Sequence, residues 1–420
     1  MARCGIDFGT SNSAVALPTG EVLKIDPGAA QVRLFRSVLF FPEDSREVLA
    51  GNDAIERYQE DPEGRFIQSV KTWLPSMSFT QTLIRNASFK LEDLIGVLLR
   101  VLRERAVAHL GAPIDHLVLG RPAVFSPDLA IDARAEARLA TAAKTAGFSS
   151  VSFLIEPIAA ALAYEATLDR DELVLVADFG AGTTDLTLMR LGPSRREQKD
   201  RRADVVASSG VYVGGDRFDA VLMRHKLLPF FGQGSTYLVG LRRMPIPTYV
   251  LTRLLSWSEM SSIRDKSTQE LLFLMLRSSD QKEGIQALHD LVMHNLGYRL
   301  FRAIEKAKVE LSSVQRSRID FEEDRVRLHV EVTREEFERF SEPLIGELER
   351  CTDALLDRVP SALKIDSVFL TGGSSHLPAV QKLFARKFGQ ARLRGGDAFT
   401  SVAEGLGRAS AGALFQSSTT

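Results

Sequence analysis

Two phrases of one design recur in this chain, Gly5-Ile6-Asp7-Phe8-Gly9-Thr10-Ser11-Asn12-Ser13 and Ala177-Asp178-Phe179-Gly180-Ala181-Gly182-Thr183-Thr184-Asp185. Each reads as an apolar strand whose end carries an aspartate and which turns through glycine into small hydroxyl residues. One such turn is an ordinary Asp-Gly connection. Two of them, at the starts of successive halves, predict related domains. Facing each other, they offer backbone N–H groups of Gly9, Thr10, Ser11, Gly180, Ala181, Gly182 and Thr183 to a polyphosphate. Asp7, Asp178 and Asp185 then stand where a magnesium ion is held directly or through water. The expectation is a nucleotide site in a cleft between the halves.

At 420 residues the chain exceeds the size at which a single core stops growing, so at least two domains are expected. Lys and Arg total 53 against 54 Asp and Glu, a formal charge of −1. That balance gives no support to a nucleic-acid or anionic-membrane partner. Cys4 and Cys351 read as two buried thiols, not a disulfide. No apolar run approaches the roughly 20 residues of a membrane span. The first strand begins almost at the N-terminus and leaves no room for a signal peptide, so a cytoplasmic location is expected. The seven histidines lack metal-ligand spacing, and no nucleophile elbow or His triad stands out.

Apolar periodicity predicts a helix over 91–110, with Leu94, Val97, Leu98, Val101 and Leu102 on one side. A strand over 114–120 and an Ala-rich helix over 127–146 follow, the helix closed by Gly147 as a left-handed cap. Strand 151–155 leads through Glu156-Pro157 into a small-residue helix, 158–165. The run Leu173 to Ala177 has the composition of a strand buried on both faces. Segments 185–191 and 205–213 pair naturally across a charged stretch, 193–204, read as a solvated hairpin loop. Gly214-Gly215-Asp216-Arg217-Phe218-Asp219 opens a helix.

From 227 to 257, Gly232, Gly234, Pro245 and Pro247 break periodicity. There Phe230, Phe231, Tyr237, Tyr249 and Trp257 make either a partner surface or a mini-core. Helices run from about 269 to 312, extended chain from 319 to 332, and Thr333 with Glu336 forms a capping-box pattern before a helix over 334–358. A last strand, 368–371, and helices over 377–388 and 402–414 complete strand–helix alternation in both halves. Two α/β domains around a cleft are expected.

Other residues carry weaker signals when read alone. Lys71 has the features of a surface lysine whose stem packs on its neighbours, and Glu156 those of a helix cap. Gly372-Gly373-Ser374 permits close backbone approach to a ligand or is a plain strand-to-helix turn. Glu305 and Lys308 share a helix face, either to grip ribose hydroxyls or as a surface pair. Neither a P-loop nor a dinucleotide fingerprint is present.

Taken together, these stretches resemble the ATPase domain of the seventy-kilodalton heat-shock protein family, with particular likeness to the short, DnaK-related, YegD-like stand-alone proteins. The resemblance rests on the two phrases above and on Glu156-Pro157-Ile158-Ala159-Ala160-Ala161-Leu162-Ala163-Tyr164, Gly214 to Asp219, Glu305-Lys306-Ala307-Lys308-Val309-Glu310-Leu311-Ser312-Ser313 and Leu370-Thr371-Gly372-Gly373-Ser374-Ser375. It implies an α/β, actin-like (ribonuclease-H-like) fold of two lobes, 1–172 and 173–420. Each lobe would carry a smaller subdomain, about 37–105 and 220–312, around a central nucleotide cleft.

By carry-over, Asp7, Asp178 and Glu156 organise Mg2+ and its waters, with Asp185 nearby. Gly9, Thr10, Ser11, Asn12, Gly180, Ala181, Gly182, Thr183, Gly214 and Gly215 line the phosphates. Lys71 orients the attacking water, so that Lys71, Glu156, Asp178 and Asp185 form the catalytic set. Glu305, Lys308, Ser312, Gly372, Gly373, Ser374 and His376 surround the nucleoside of ATP or ADP. Three departures stand out: Ala181 replaces a common glycine, His376 an adenine-sandwiching arginine, and Phe399 a late acidic residue.

The function implied is a Mg-dependent ATP-binding protein with slow hydrolysis, a nucleotide-driven cleft switch without the family's peptide-binding domain, since Thr420 follows directly on the last ATPase-domain helix. A non-hydrolysing nucleotide sensor is the alternative. A small-molecule kinase and a filament-forming relative follow behind it. The expected partners are the nucleotide and an unidentified protein docking on the lobes or on 227–300, with no nucleic acid or membrane. The expected state is a monomer or weak oligomer.

Overall fold

The structure, a computed structural model, describes residues 2–412 apart from 27, 29–32, 197, 199–200, 261–262, 264, 324 and 398, and apart from the side chains of 257 and 258. Trp257 as a surface or core aromatic, and the polar tail after the last helix, therefore lie outside the described residues.

Two five-stranded sheets follow a single plan. The first runs in the order Ser150–Ile155, Ile114–Arg121, Ala2–Phe8, Asn12–Ala16, Phe35–Arg36. The second runs Leu393–Gly395, Ser367–Thr371, Glu172–Phe179, Thr184–Leu191, Val205–Val211. In both, the central strand bears the aspartate, pairs antiparallel with the strand beyond its turn and parallel with a later strand. The register puts Asp7 opposite Ala14 but sets Asp178 directly opposite Asp185. Two like charges in that cross-strand position repel, so the second hairpin carries a built-in demand for positive charge or protons.

The helix Glu156–Glu165 packs on the second sheet and Ser401–Ser410 on the first. Small residues let these two helices meet. A Cβ on Gly405 would lie 1.7 Å from the Ala159 carbonyl oxygen. The Ala run of the first helix is thus a packing surface, with Ala159, Ala160 and Ala161 fully buried. The helices Leu91–Leu110 and Leu129–Thr145 cover the other side of the first sheet's core, and the first of them has the bounds expected from its periodicity. Gly147 adopts a positive φ of 96° just past the second.

The described residues form two compact units: 2–214 with 347–375 and 380–412, and Gly215–Gly346 with His376–Ala379. Both five-stranded sheets belong to the first. The second contains the helices Gly215–Leu222, Lys266–Ser278, Lys282–Met293 and Gly297–Leu311 and a hairpin, Arg316–Glu323 with Val326–Thr333. The expected capping box closes reciprocally: the Thr333 amide donates to Glu336 Oε2 at 3.0 Å, and the Glu336 amide to Thr333 Oγ1 at 3.2 Å.

Two local readings change, and one hairpin appears that no turn signal announces. The stretch 227–257 is more ordered than its glycines and prolines suggest, since Thr236–Val239 and Arg242–Pro245 form a hairpin turning at Gly240. Its aromatics divide: Phe231 and Tyr237 are buried, whereas Phe230 and Tyr249 are exposed. A second hairpin, Gln81–Ile84 with Ala87–Lys90, turns at Arg85 and Asn86, both at positive φ. It lacks the Asn-Gly signal that announces such turns. Finally, the charged 193–204 loop is not merely solvated. Arg201 is 1% exposed and forks onto Glu165 at 2.8 and 2.9 Å while bonding Asp204 at 2.5 Å. Both cysteines are free; Cys4 is buried and Cys351 half-buried.

Candidate functional site

Five ionisable side chains gather where the two central strands end. Lys71 Nζ donates to Glu156 Oε1 at 2.5 Å, and both side chains are about nine-tenths buried. Glu156 begins the Ala-rich helix, where the helix dipole favours a carboxylate. Lys71 comes from a single 3-10 turn, Val70–Trp73. Burial pulls its ammonium pKa down, but Glu156, Asp7 and Asp185 outweigh this and raise it, so Lys71 stays charged.

The carboxylates respond in the opposite sense. Burial first, then the Glu156 charge, pushes Asp7 up to about 7. The same two causes carry Asp185 up to about 7 against the bonds it accepts from Thr183 Oγ1 at 3.0 Å and the Ala123 amide at 2.9 Å. Asp178 rises well above the usual carboxylate range through burial, Glu156, Asp7 and Asp185. Four carboxyls around one ammonium make a site short of positive charge, which a hard divalent cation suits. Among the described residues, no three His, Cys, Asp or Glu side chains converge to hold a metal by themselves. A cation there fits as one that keeps most of its shell in water and phosphate oxygens.

Both turns beside this cluster stay partly open while their strands are buried. Gly9, Thr10, Ser11 and Asn12 on one side, and Ala181, Gly182 and Thr183 on the other, retain solvent contact, and Gly180 is exposed. They also approach each other, since a Cβ on Gly182 would sit 4.0 Å from Thr10 Oγ1. The Gly180 amide closes its turn on the Thr183 carbonyl at 2.9 Å. Asn12 Oδ1 is taken by Arg36 at 3.0 Å, so its side chain braces the first hairpin. Gly214 packs under the second turn, where a Cβ would lie 2.4 Å from the Ala181 carbonyl oxygen.

The turn after strand Ser367–Thr371 lies against the same central strand. Gly372 has φ +82°, and a Cβ there would meet the Phe179 carbonyl oxygen at 2.2 Å, so glycine is required twice over. Gly373 is exposed, Ser374 buried and His376 exposed. The Phe399 ring, 41% exposed, lies beside Gly373, with Cε1 3.1 Å from where a Cβ would sit.

In the second unit, Lys308 is no surface residue. Its Nζ is buried and donates to Asp219 Oδ2 at 2.9 Å and to the Gly215 carbonyl at 3.2 Å. Burial, only partly offset by Lys308, raises Asp219 to about 7. Asp219 Oδ1 is buried without a hydrogen-bond partner. Glu305 bonds Arg302 Nη1 on its own helix, and Ser312 caps that helix. The hydrogen-bonded partner of Lys308 is therefore Asp219, with Glu305 adding a further attraction along its own helix.

Sequence reasoning passed over Asp219, Ala123 and Arg138. Asp219 lies within a quoted motif, and its position one helical turn past Gly215 was the available signal. Ala123 acts through its amide, which leaves no side-chain signature. Arg138 betrays itself as an arginine among the buried residues Ala135, Leu139 and Ala142.

A protein-family model described as Hsp70 protein matches residues 75–235 and 268–417, the greater part of the chain.

Proposed function

Since this chain belongs to the Hsp70 family and has its actin-like ATPase fold, we propose that it is a magnesium-dependent ATP-binding protein that hydrolyses ATP slowly and switches with the nucleotide. The family supports ATP and ADP binding and chaperone-like, nucleotide-dependent activity. The finer assignments belong to this proposal: likeness to the YegD-like stand-alone members, a cytoplasmic setting, and lobes of 1–172 and 173–420. No described helix is long and apolar enough to cross a membrane.

One observation carries the reading. Lys71, Glu156, Asp7, Asp178 and Asp185 converge beside two partly open glycine turns that approach each other at Thr10 and Gly182. In this reading the turn amides of Gly9 to Asn12 and Gly180 to Thr183 cradle the phosphates, with Gly214 and Gly215 behind them. Asp7, Asp178 and Glu156 hold the magnesium through its waters; the ion, when bound, supplies charge neutralisation at the phosphates. Lys71, steadied by Glu156, orients the attacking water and faces the charge that develops on the transferred phosphoryl group. Asp185, braced by Thr183 and Ala123, accepts from that water's side of the site. Glu305, Lys308, Ser312, Gly372, Gly373, Ser374 and His376 take the nucleoside.

Nucleotide contacts from two separate turns favour the conformation in which both engage, which is what a switch requires. A protein partner then reads that conformation, and the exposed Phe230 and Tyr249 of the 227–300 segment are where we place its docking. The test is a metal-dependent ATP titration followed by phosphate release in the same sample, with Asp7→Asn, Asp178→Asn and Lys71→Ala alongside. Binding that needs magnesium and is lost in the Asp variants supports the reading. Binding without release above the Lys71→Ala background would make this a nucleotide sensor. No magnesium-dependent binding at all would sink the proposal.

A further inference from the structure

The 3-10 turn that carries Lys71 is too short to hold itself. It spans only Val70–Trp73, and such turns have poor hydrogen-bond geometry and no cooperativity to resist fraying. On its entering side Ser69, 4% exposed, is locked in the left-handed region at φ 58° and ψ 30°. On its leaving side the chain runs through Leu74, Ser76 and Phe79, and the carbonyls there point at one guanidinium. Arg138 Nη1 donates to the carbonyls of Trp73, Leu74 and Ser76 at 3.4, 3.2 and 3.2 Å, and Nη2 donates to Phe79 at 2.8 Å. Nε is held by Glu92 Oε1 at 2.8 Å, on the first turn of the neighbouring helix.

We propose that Arg138 is a positioning residue for Lys71, a buried clamp that fixes where the lysine's turn ends and so where its ammonium meets Glu156. This rests on the reading of Lys71 given above and adds a residue to it. The physical case is one of geometry. A guanidinium presents five donors in a rigid fork, and here that fork is spent on main-chain oxygens of a single loop, anchored from behind by a carboxylate. Arg138 is 7% exposed, and removing its fork takes a buried donor from the Leu74 carbonyl and the counter-charge from Glu92. The helix bearing Arg138 also steadies the opposite side of the cluster. Arg121, at the end of its strand, bonds Asp132 at 2.7 Å and also Glu136, and the chain two residues on supplies the Ala123 amide to Asp185. One helix thereby sets both the lysine and a carboxylate it faces.

Two readouts separate positioning from plain stability. Zero-length carbodiimide coupling followed by peptide mass analysis measures whether Lys71 and Glu156 remain in contact, with no nucleotide present. Single-turnover phosphate release and ATP affinity measure the consequence. Arg138→Met is expected to abolish the Lys71–Glu156 crosslink and slow phosphate release roughly 10- to 100-fold, with ATP affinity within about threefold of wild type. Arg138→Lys, a point charge reaching fewer carbonyls, should fall between. Arg134→Gln, on the same helix and donating to the Met77 sulfur of the same loop at 2.7 Å, should leave both readouts unchanged.

If Arg138→Met does not fold, Arg138→Lys and Glu92→Gln carry the test with the same expected direction. A folded variant that loses thermal stability yet keeps the crosslink at wild-type yield would overturn the proposal. So would a wild-type protein that gives no crosslink. A wild type that crosslinks but releases no phosphate leaves Arg138's role intact and removes the hydrolytic reading instead.

Discussion

Lys71 Nζ and Glu156 Oε1 stand 2.5 Å apart although 85 positions separate them in the chain. The pair places an ammonium, held by a turn of one segment, at the head of a helix built from another. Removing the ammonium as Lys71→Met takes away a cation facing Asp7 and Asp185 as well as Glu156. Loss of a preorganised charge of this kind costs about 10²- to 10³-fold in the chemical step. Single-turnover phosphate release should fall by that factor while the ATP Kd shifts less than about fivefold, as read by rapid quench and calorimetry. A parallel loss of affinity and rate would show that Lys71 serves binding alone.

The carboxyl cluster makes stability and magnesium binding depend on pH with a definite sign. Asp7 and Asp185 titrate at about 7 when folded, against 3.8 without the fold, and Asp178 is also raised. Between those limits the folded chain binds more protons than the unfolded one, so these groups make stability fall as pH rises from about 4 to about 7. Without magnesium the Tm should decline across this window, and added magnesium should flatten the decline. Mg-ATP binding near neutral pH should expel protons, so the heat of titration should differ between phosphate and Tris buffers. Equal heats in the two buffers would contradict the protonated cluster.

Gly405→Ala tests the contact between the two central helices. Inside a helix the change gains about 1 kcal/mol of propensity. Against this, the new Cβ would overlap the Ala159 carbonyl oxygen at 1.7 Å, and that oxygen belongs to a packed backbone. Overpacking of this kind costs about 1–3 kcal/mol or more, so the net change is destabilising. Urea unfolding should show a lowered midpoint; an unchanged or raised midpoint would mean the helices separate freely.

Lys308→Met should destabilise the second unit by about 3–5 kcal/mol at alkaline pH, because it strands buried Asp219 without its counter-charge. The loss should shrink below about pH 7, where Asp219 accepts a proton and needs no ammonium. Asp219→Asn should cost less and show little pH dependence. Denaturant melts of the three proteins at two pH values decide this, and a pH-independent deficit in Lys308→Met would point to lost packing of its stem.

How much of this was legible in the sequence varied with the range of the forces involved. The helix Leu91–Leu110 and the Thr333–Glu336 cap depend on neighbours within a turn, and both follow from spacing. The Arg85–Asn86 hairpin and the one at Gly240 were obscured because their turns or flanks carry atypical residues. Among site residues, the paired glycine turns were readable as a repeat. Lys71 had no distinguishing local pattern, because what sets it apart is Glu156, brought in from another segment.

The charged loop after Pro193 illustrates the same limit from the opposite side. Charge in a turn normally means solvation, yet Arg201 is buried because Glu165 and Asp204 together satisfy its fork. Composition carries no record of such a partner.

The chain on its own determined the two strand–turn motifs, the small-residue helices and the alternation that yields an α/β architecture, since each is written in consecutive residues and their periodicity. Only the tertiary structure decided that Asp178 faces Asp185, that Lys71 meets Glu156, that Lys308 belongs to Asp219, and that Arg138 closes on the loop beyond Lys71. Desolvation and Coulomb interaction depend on distance through space, and the order of residues along a chain does not contain that distance.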